Sequence, residues 1–184
     1  MIGWVVAAVS LFFLGLYYTN RNLLYASSDF ASVLYTMTMI LLFLLPAISM
    51  RSFAEERKNR TDQLLLTSPV SVWGIVLGKF FAIAAVFALP CAVDAVMIFI
   101  LWALGGTVSA LLANLAGLLC YFLLGCAAIA LCEFLSGLTE NQIIAAVSGV
   151  AALLLAYMMP SLRSMFNAGS AVALVVFTAL SAGA

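Results

Sequence analysis

The 184-residue sequence predicts an all-α fold: a polytopic transmembrane bundle of about six spans. Three observations predict it. The chain is 67% hydrophobic and 8% charged, with a mean hydropathy of +1.26. Soluble domains carry about 25% charged residues, so this one has too few to cover a water-facing surface, and the bilayer must be its solvent. Its apolar residues also fall into long runs, near the ~20 residues that a helix needs to cross the ~30 Å hydrocarbon core. Finally, its charge is concentrated. Arg51, Glu55, Glu56, Arg57, Lys58, Arg60 and Asp62 share one short stretch, with Lys79 just beyond.

The apolar segments are Ile2–Tyr18, Ala31–Met50, Gly74–Trp102, Ser109–Leu131, Ile143–Met159 and Ala168–Ala182. The first and last are marginal in length, because the chain starts and stops inside them, and the sequence is expected to be cut short at both ends. No Lys or Arg precedes the first segment, so it does not read as a signal peptide. Lys and Arg near the span ends set orientation. With the N-terminus in the cytoplasm, Arg51, Arg57, Lys58, Arg60 and Lys79 lie inside, and Arg21 and Arg163 outside. The loops Arg51–Val72 and Glu133–Gln142 then face in; Thr19–Phe30, Ala103–Val108 and Pro160–Asn167 face out. Trp4, Trp73 and Trp102 sit near segment ends, where interfacial aromatics belong. No repeat or linker breaks the chain, which reads as one membrane domain over residues 1–184.

Several functions are excluded at this stage. There is no His, which removes Ser-His and Cys-His catalysis and His-ligated metals. Cys91, Cys120, Cys126 and Cys132 lie in apolar runs without a C-x-x-C pair and read as buried free thiols. No metal site is expected, and no bound cofactor. Net charge is zero and no basic patch lies outside the one loop, which argues against nucleic-acid binding. Gly74 to Lys79 has three residues between its glycines rather than four, and Phe80 where a phosphate-binding loop has Ser or Thr. It reads instead as a G-x-x-x-G helix-packing face.

The loop itself carries helical signals. Glu56 and Arg60 stand at i and i+4 with the acid first, the favourable order, and Glu55 and Lys58 at i and i+3. Thr61 is a candidate N-cap, followed by Leu64–Leu65–Leu66; Ser68-Pro69 reads as N-cap and first residue of the next helix. Two readings of the residues stay open: a short helix offering a charged face to a partner, or a solvated loop that only fixes topology.

The run FAEERKNRTDQLLLTSPVSVWGIVLGK resembles the loop after the second transmembrane helix of ABC-2-type transporter permeases, closest to the gliding-motility-type branch. SGLTENQIIAA at Ser136–Ala146, SLFFLGLYYTNRNLL and LLFLLPAISMRSFAEE fit the same family, and the likeness covers roughly residues 1–160. The resemblance implies that Ser52–Ser68 holds a cytoplasmic coupling helix between spans 2 and 3. In the family this helix docks on a separate P-loop ATPase, and two permeases work with two ATPases. It makes Glu55, Glu56, Arg57, Lys58, Arg60 and Asp62 the docking candidates, and assigns ATP and Mg to the partner. A bacterial inner membrane is the implied location. Arg60 departs from the Gly that many relatives carry there.

Two further places draw attention. Asp94 lies inside the third span, four residues after Pro90. A membrane-embedded carboxyl must face protein or water, so Asp94 is either a polar group on a translocation path, or a hydrogen-bonded packing residue or protonated acid. Glu133 is weighed the same way but stands nearer a span end. Glu140 and Asn141 form a possible second cytoplasmic contact, although Thr139 with Gln142 would make a capping box that accounts for the segment without function. Pro46 should bend the second span where it enters the loop. Gly117 and Gly125 suggest close packing on the fourth.

The functional expectation is the permease subunit of an ATP-driven ABC-2 exporter, itself not an enzyme. The alternative is a non-transporting scaffold of a motility or secretion apparatus. A secondary transporter should show more ionisable groups within its spans.

Overall fold

The structure, a computed structural model, describes residues 2–25, 29–49, 72–139 and 141–159. Among them five helices are long and apolar enough to cross a membrane. They are α1 (Ile2–Tyr18), α2 (Ala31–Ser49), α3 (Val72–Ala103), α4 (Val108–Leu138) and α5 (Gln142–Met159). The described residues include no strand. The segment Ala168–Ala182 and the coupling segment Ser52–Ser68 lie outside the described residues. The chain divides into two compact units, Met1–Val150 and Ala151–Ala184; the packing described is that of the first.

In this unit α4 packs on α2 and α3, and α1 packs on the same two helices, closing a four-helix ring. The buried residues of α2 recur every three or four positions: Val33, Leu34, Met37, Leu41, Leu42 and Leu45. That spacing puts one stripe of a 3.6-residue helix toward the neighbours. Ile83, Phe87, Asp94, Ile98 and Leu101 do the same for α3. The opposite faces are equally apolar but exposed: Phe43, Phe81, Leu119, Leu123 and Phe134. An all-round apolar helix needs no water-facing side, because lipid is its solvent there. Trp4, Trp73 and Trp102 stand at helix ends, 73%, 77% and 44% exposed, as headgroup-level anchors should.

Several expected boundaries move. The first helix continues past Tyr18 as a π-helical turn, Thr19–Leu24, so the first span reaches Leu24 rather than stopping at a loop from Thr19. Its polar residues are absorbed by packing: Asn22 is buried, and its amide donates to the Asp29 carbonyl at 3.2 Å. Asp29 then caps α2, its carboxylate accepting from the Ala31 N–H at 3.1 Å. Next to it the Phe30 N–H donates to the buried side chain of Asn114 on α4 at 3.2 Å, tying the start of α2 to a helix 84 residues away.

α4 runs to Leu138, not Leu131. Glu133 is therefore not a loop residue reaching for headgroups. It lies on the buried face with Cys132 and Ser136. The capping assignment also shifts: the Ile143 N–H is accepted by the Asn141 side chain at 3.0 Å, so Asn141, not Thr139, caps α5.

The turn between α3 and α4 falls at Leu104–Thr107, as expected. Gly105 has φ +116°, a conformation that side chains rarely adopt. The Gly106 N–H donates to the carbonyls of Leu101 and Trp102, closing the end of α3. Thr107 starts α4 by accepting from the Ala110 N–H at 3.3 Å.

The glycines sort unevenly. A Cβ at Gly125 would overlap the Phe87 ring, so here α3 and α4 touch backbone to ring. At Gly149 a Cβ would stand 3.2 Å from Pro46, and at Gly117 an ordinary 3.8 Å from Leu34. Gly78, the second glycine of the G-x-x-x-G spacing, is exposed with nothing within 4 Å of where its Cβ would stand. Pro46 is buried inside a helix that continues to Ser49.

Candidate functional site

The expected site residues separate into two groups. Glu55, Glu56, Arg57, Lys58, Arg60, Asp62 and Glu140 lie outside the described residues. Asn141 is described and serves as the cap of α5. Asp94 is described in full.

Asp94 is 2% exposed, on the face of α3 that turns into the ring. It lines a partly open cavity of about 40 Å³ to which all four helices contribute. α1 contributes Ala7 and Ser10, α2 contributes Met37 and Leu41, α3 contributes Phe87, Pro90 and Asp94, and α4 contributes Tyr121. The rest of the wall is aliphatic. Ser10 is turned back on its own helix, donating to the Ala7 carbonyl at 2.8 Å. Phe87 and Tyr121 pack ring against ring, centroids 5.7 Å apart, and Phe122 stacks on Phe87 at 5.9 Å. The Oδ1 atom of Asp94 is fully buried and has no hydrogen-bond partner among the described residues. An orphaned carboxylate oxygen in an apolar interior is expensive, because it has lost water and gained nothing in exchange.

Pro90 stands one turn before Asp94 on the same wall. It has no N–H to give the Val86 carbonyl, and Val86 is itself a lining residue of the cavity. Asp94 thus faces protein and cavity rather than lipid, as an intramembrane carboxyl must. Its charge in an apolar run made it visible in sequence. Ser10 and Tyr121 were not visible, since a hydroxyl in a membrane helix is unremarkable until its neighbours are known.

A second hollow, about 620 Å³, runs between α3 and α4 near Phe80, Glu133 and Phe134. Among the described residues no group of three His, Cys, Asp or Glu side chains sits close enough to hold a metal ion. The described cysteines are unpaired thiols.

These features define an all-helical integral membrane protein with a small polar point inside its bundle. The profile of the ABC-2 family transporter protein matches residues 7–180, and the chain belongs to that family. No curated protein and no solved structure matches the chain. The family's members are membrane components of transporters rather than catalysts, and they generally work with an ATPase partner.

Proposed function

We propose that this chain is the membrane-spanning permease subunit of an ATP-driven ABC-2 exporter of the gliding-motility type. It pairs with a second permease subunit in a bacterial inner membrane with its N-terminus in the cytoplasm, and ATP and Mg are bound by a separate P-loop ATPase. The observation that carries this reading is the family match, which extends from residue 7 to 180 and so spans the charged loop. The excess of Lys and Arg in that loop supports a cytoplasmic location for it. ATP-driven closure of the ATPases would reach α2 and α3 through Ser52–Ser68, with Glu55, Glu56, Arg57, Lys58, Arg60 and Asp62 as the docking surface. Glu140 belongs to a second contact on the same side, next to the cap that Asn141 makes.

The test is ATP turnover. Reconstituted in vesicles with its co-purified ATPase, the chain should change the ATPase rate several-fold relative to the isolated ATPase. Equal rates with and without the chain would contradict coupling and leave an anchor that binds the ATPase without driving transport.

A further inference from the structure

The cavity at Asp94 has a chemistry of its own. Its wall is aliphatic and aromatic, with one carboxylate oxygen that none of the described residues satisfies. An occupant that donates a hydrogen bond would satisfy that oxygen. Among charged occupants, a bare metal ion is a poor fit. Calcium takes about six to eight oxygen ligands, and among the described residues the lining side chains with oxygen are Ser10, Asp94 and Tyr121. An ammonium group fits better: it needs few partners, carries the charge opposite to the carboxylate, and is attracted to aromatic faces. Tyr121, from α4, brings an aromatic ring to the same cavity. The cavity's volume of about 40 Å³, against the ~10–15 Å³ that one water-sized group requires, takes the ammonium head, and a longer tail would leave through its open side.

We propose that Asp94, with Tyr121 and Phe87 beside it, forms an intramembrane binding site for the ammonium head of a small apolar amine. This deepens the permease reading by naming a substrate class, and rests on it for transport though not for binding. The leucines and isoleucines of α2 that continue the wall (Ile40, Leu41, Leu44 and Leu45) suit a hydrocarbon tail. A lipid headgroup is the poorer source of the same chemistry. Asp94 stands eight residues from Trp102, or about 12 Å along the helix, below the level that Trp102 marks.

The experiment uses the full chain in phosphatidylcholine nanodiscs, with hexylammonium as probe and hexanol as its neutral counterpart, both corrected for protein-free discs. The wild type should bind hexylammonium saturably and at least tenfold more tightly than hexanol. Asp94→Asn should abolish that preference, and Ser10→Leu, which fills the cavity and leaves the carboxylate in place, should weaken amine binding at least tenfold. Adding phosphatidylethanolamine to the discs should leave binding unchanged; displacement of the probe would overturn the free-amine assignment in favour of a lipid. Equal affinity for amine and alcohol, or unchanged amine binding in either variant, would overturn the site. The wild-type comparison decides alone should Asp94→Asn fail to fold. No arm requires the ATPase, so a negative result removes this substrate class while the permease reading still stands or falls by ATP turnover.

Discussion

Gly125→Leu should unfold or strongly destabilise the protein, and Phe87→Ala should rescue it. The expectation follows from one contact. A Cβ at position 125 would overlap the ring of Phe87, which is itself buried. The ring cannot swing aside cheaply, because Tyr121 and Phe122 hold it on the α4 side. Overpacking a well-filled interior costs about 1–3 kcal/mol, and a leucine brings three more carbons into the same clash. Glycine is about 1 kcal/mol worse than alanine inside a helix, so propensity alone predicts the opposite sign. Thermal unfolding of the detergent-solubilised protein separates the two. The account expects a clear loss in the single variant and recovery of most of it in the double variant, the signature of direct coupling. A Gly125→Leu protein as stable as the wild type would show that α3 and α4 do not meet there.

Reversing Glu55 and Glu56 to lysine should reduce capture of the ATPase at least tenfold without impairing membrane insertion. The two effects have separate causes. Docking between soluble and membrane subunits through a charged loop relies on complementary charge, and like charges brought face to face cost enough to lower affinity by an order of magnitude. A tenfold loss corresponds to about 1.4 kcal/mol. Insertion responds to Lys and Arg in the cytoplasmic loops, so two added lysines reinforce the proposed orientation. Wild-type capture should also weaken as ionic strength rises, since exposed charges are screened beyond about 10 Å at 0.1 M salt. Unchanged co-purification of the double variant would remove these acids from the docking surface.

The helices were legible in the sequence because lipid solvation writes them as uninterrupted apolar runs. Their ends were harder to read, for a single reason. A polar residue in a membrane chain looks like a boundary, yet it can equally be buried among helices. Asn22 and Glu133 are such cases: both read as loop residues in the sequence, and both are packed within or directly after a helix. Thr139 and Asn141 are both good capping residues two positions apart, and only backbone geometry decides between them. Asp94 was singled out by its charge alone. The cavity was not, because its walls come from residues more than a hundred positions apart, from Ala7 to Tyr121. Gly125 was expected to mark close packing, but Phe87 as its partner could be seen only with α3 and α4 side by side.

Replacing Ser52–Ser68 with a neutral Gly/Ser linker of equal length, and comparing its ATPase capture with that of the native chain, tests the central claim most directly. If the chain is a permease subunit that docks through this loop, the native protein retains a P-loop ATPase through purification and the linker variant loses it while still inserting and folding. Equal capture by both, or none by either, would contradict that claim and leave a membrane bundle whose charged loop sets topology alone.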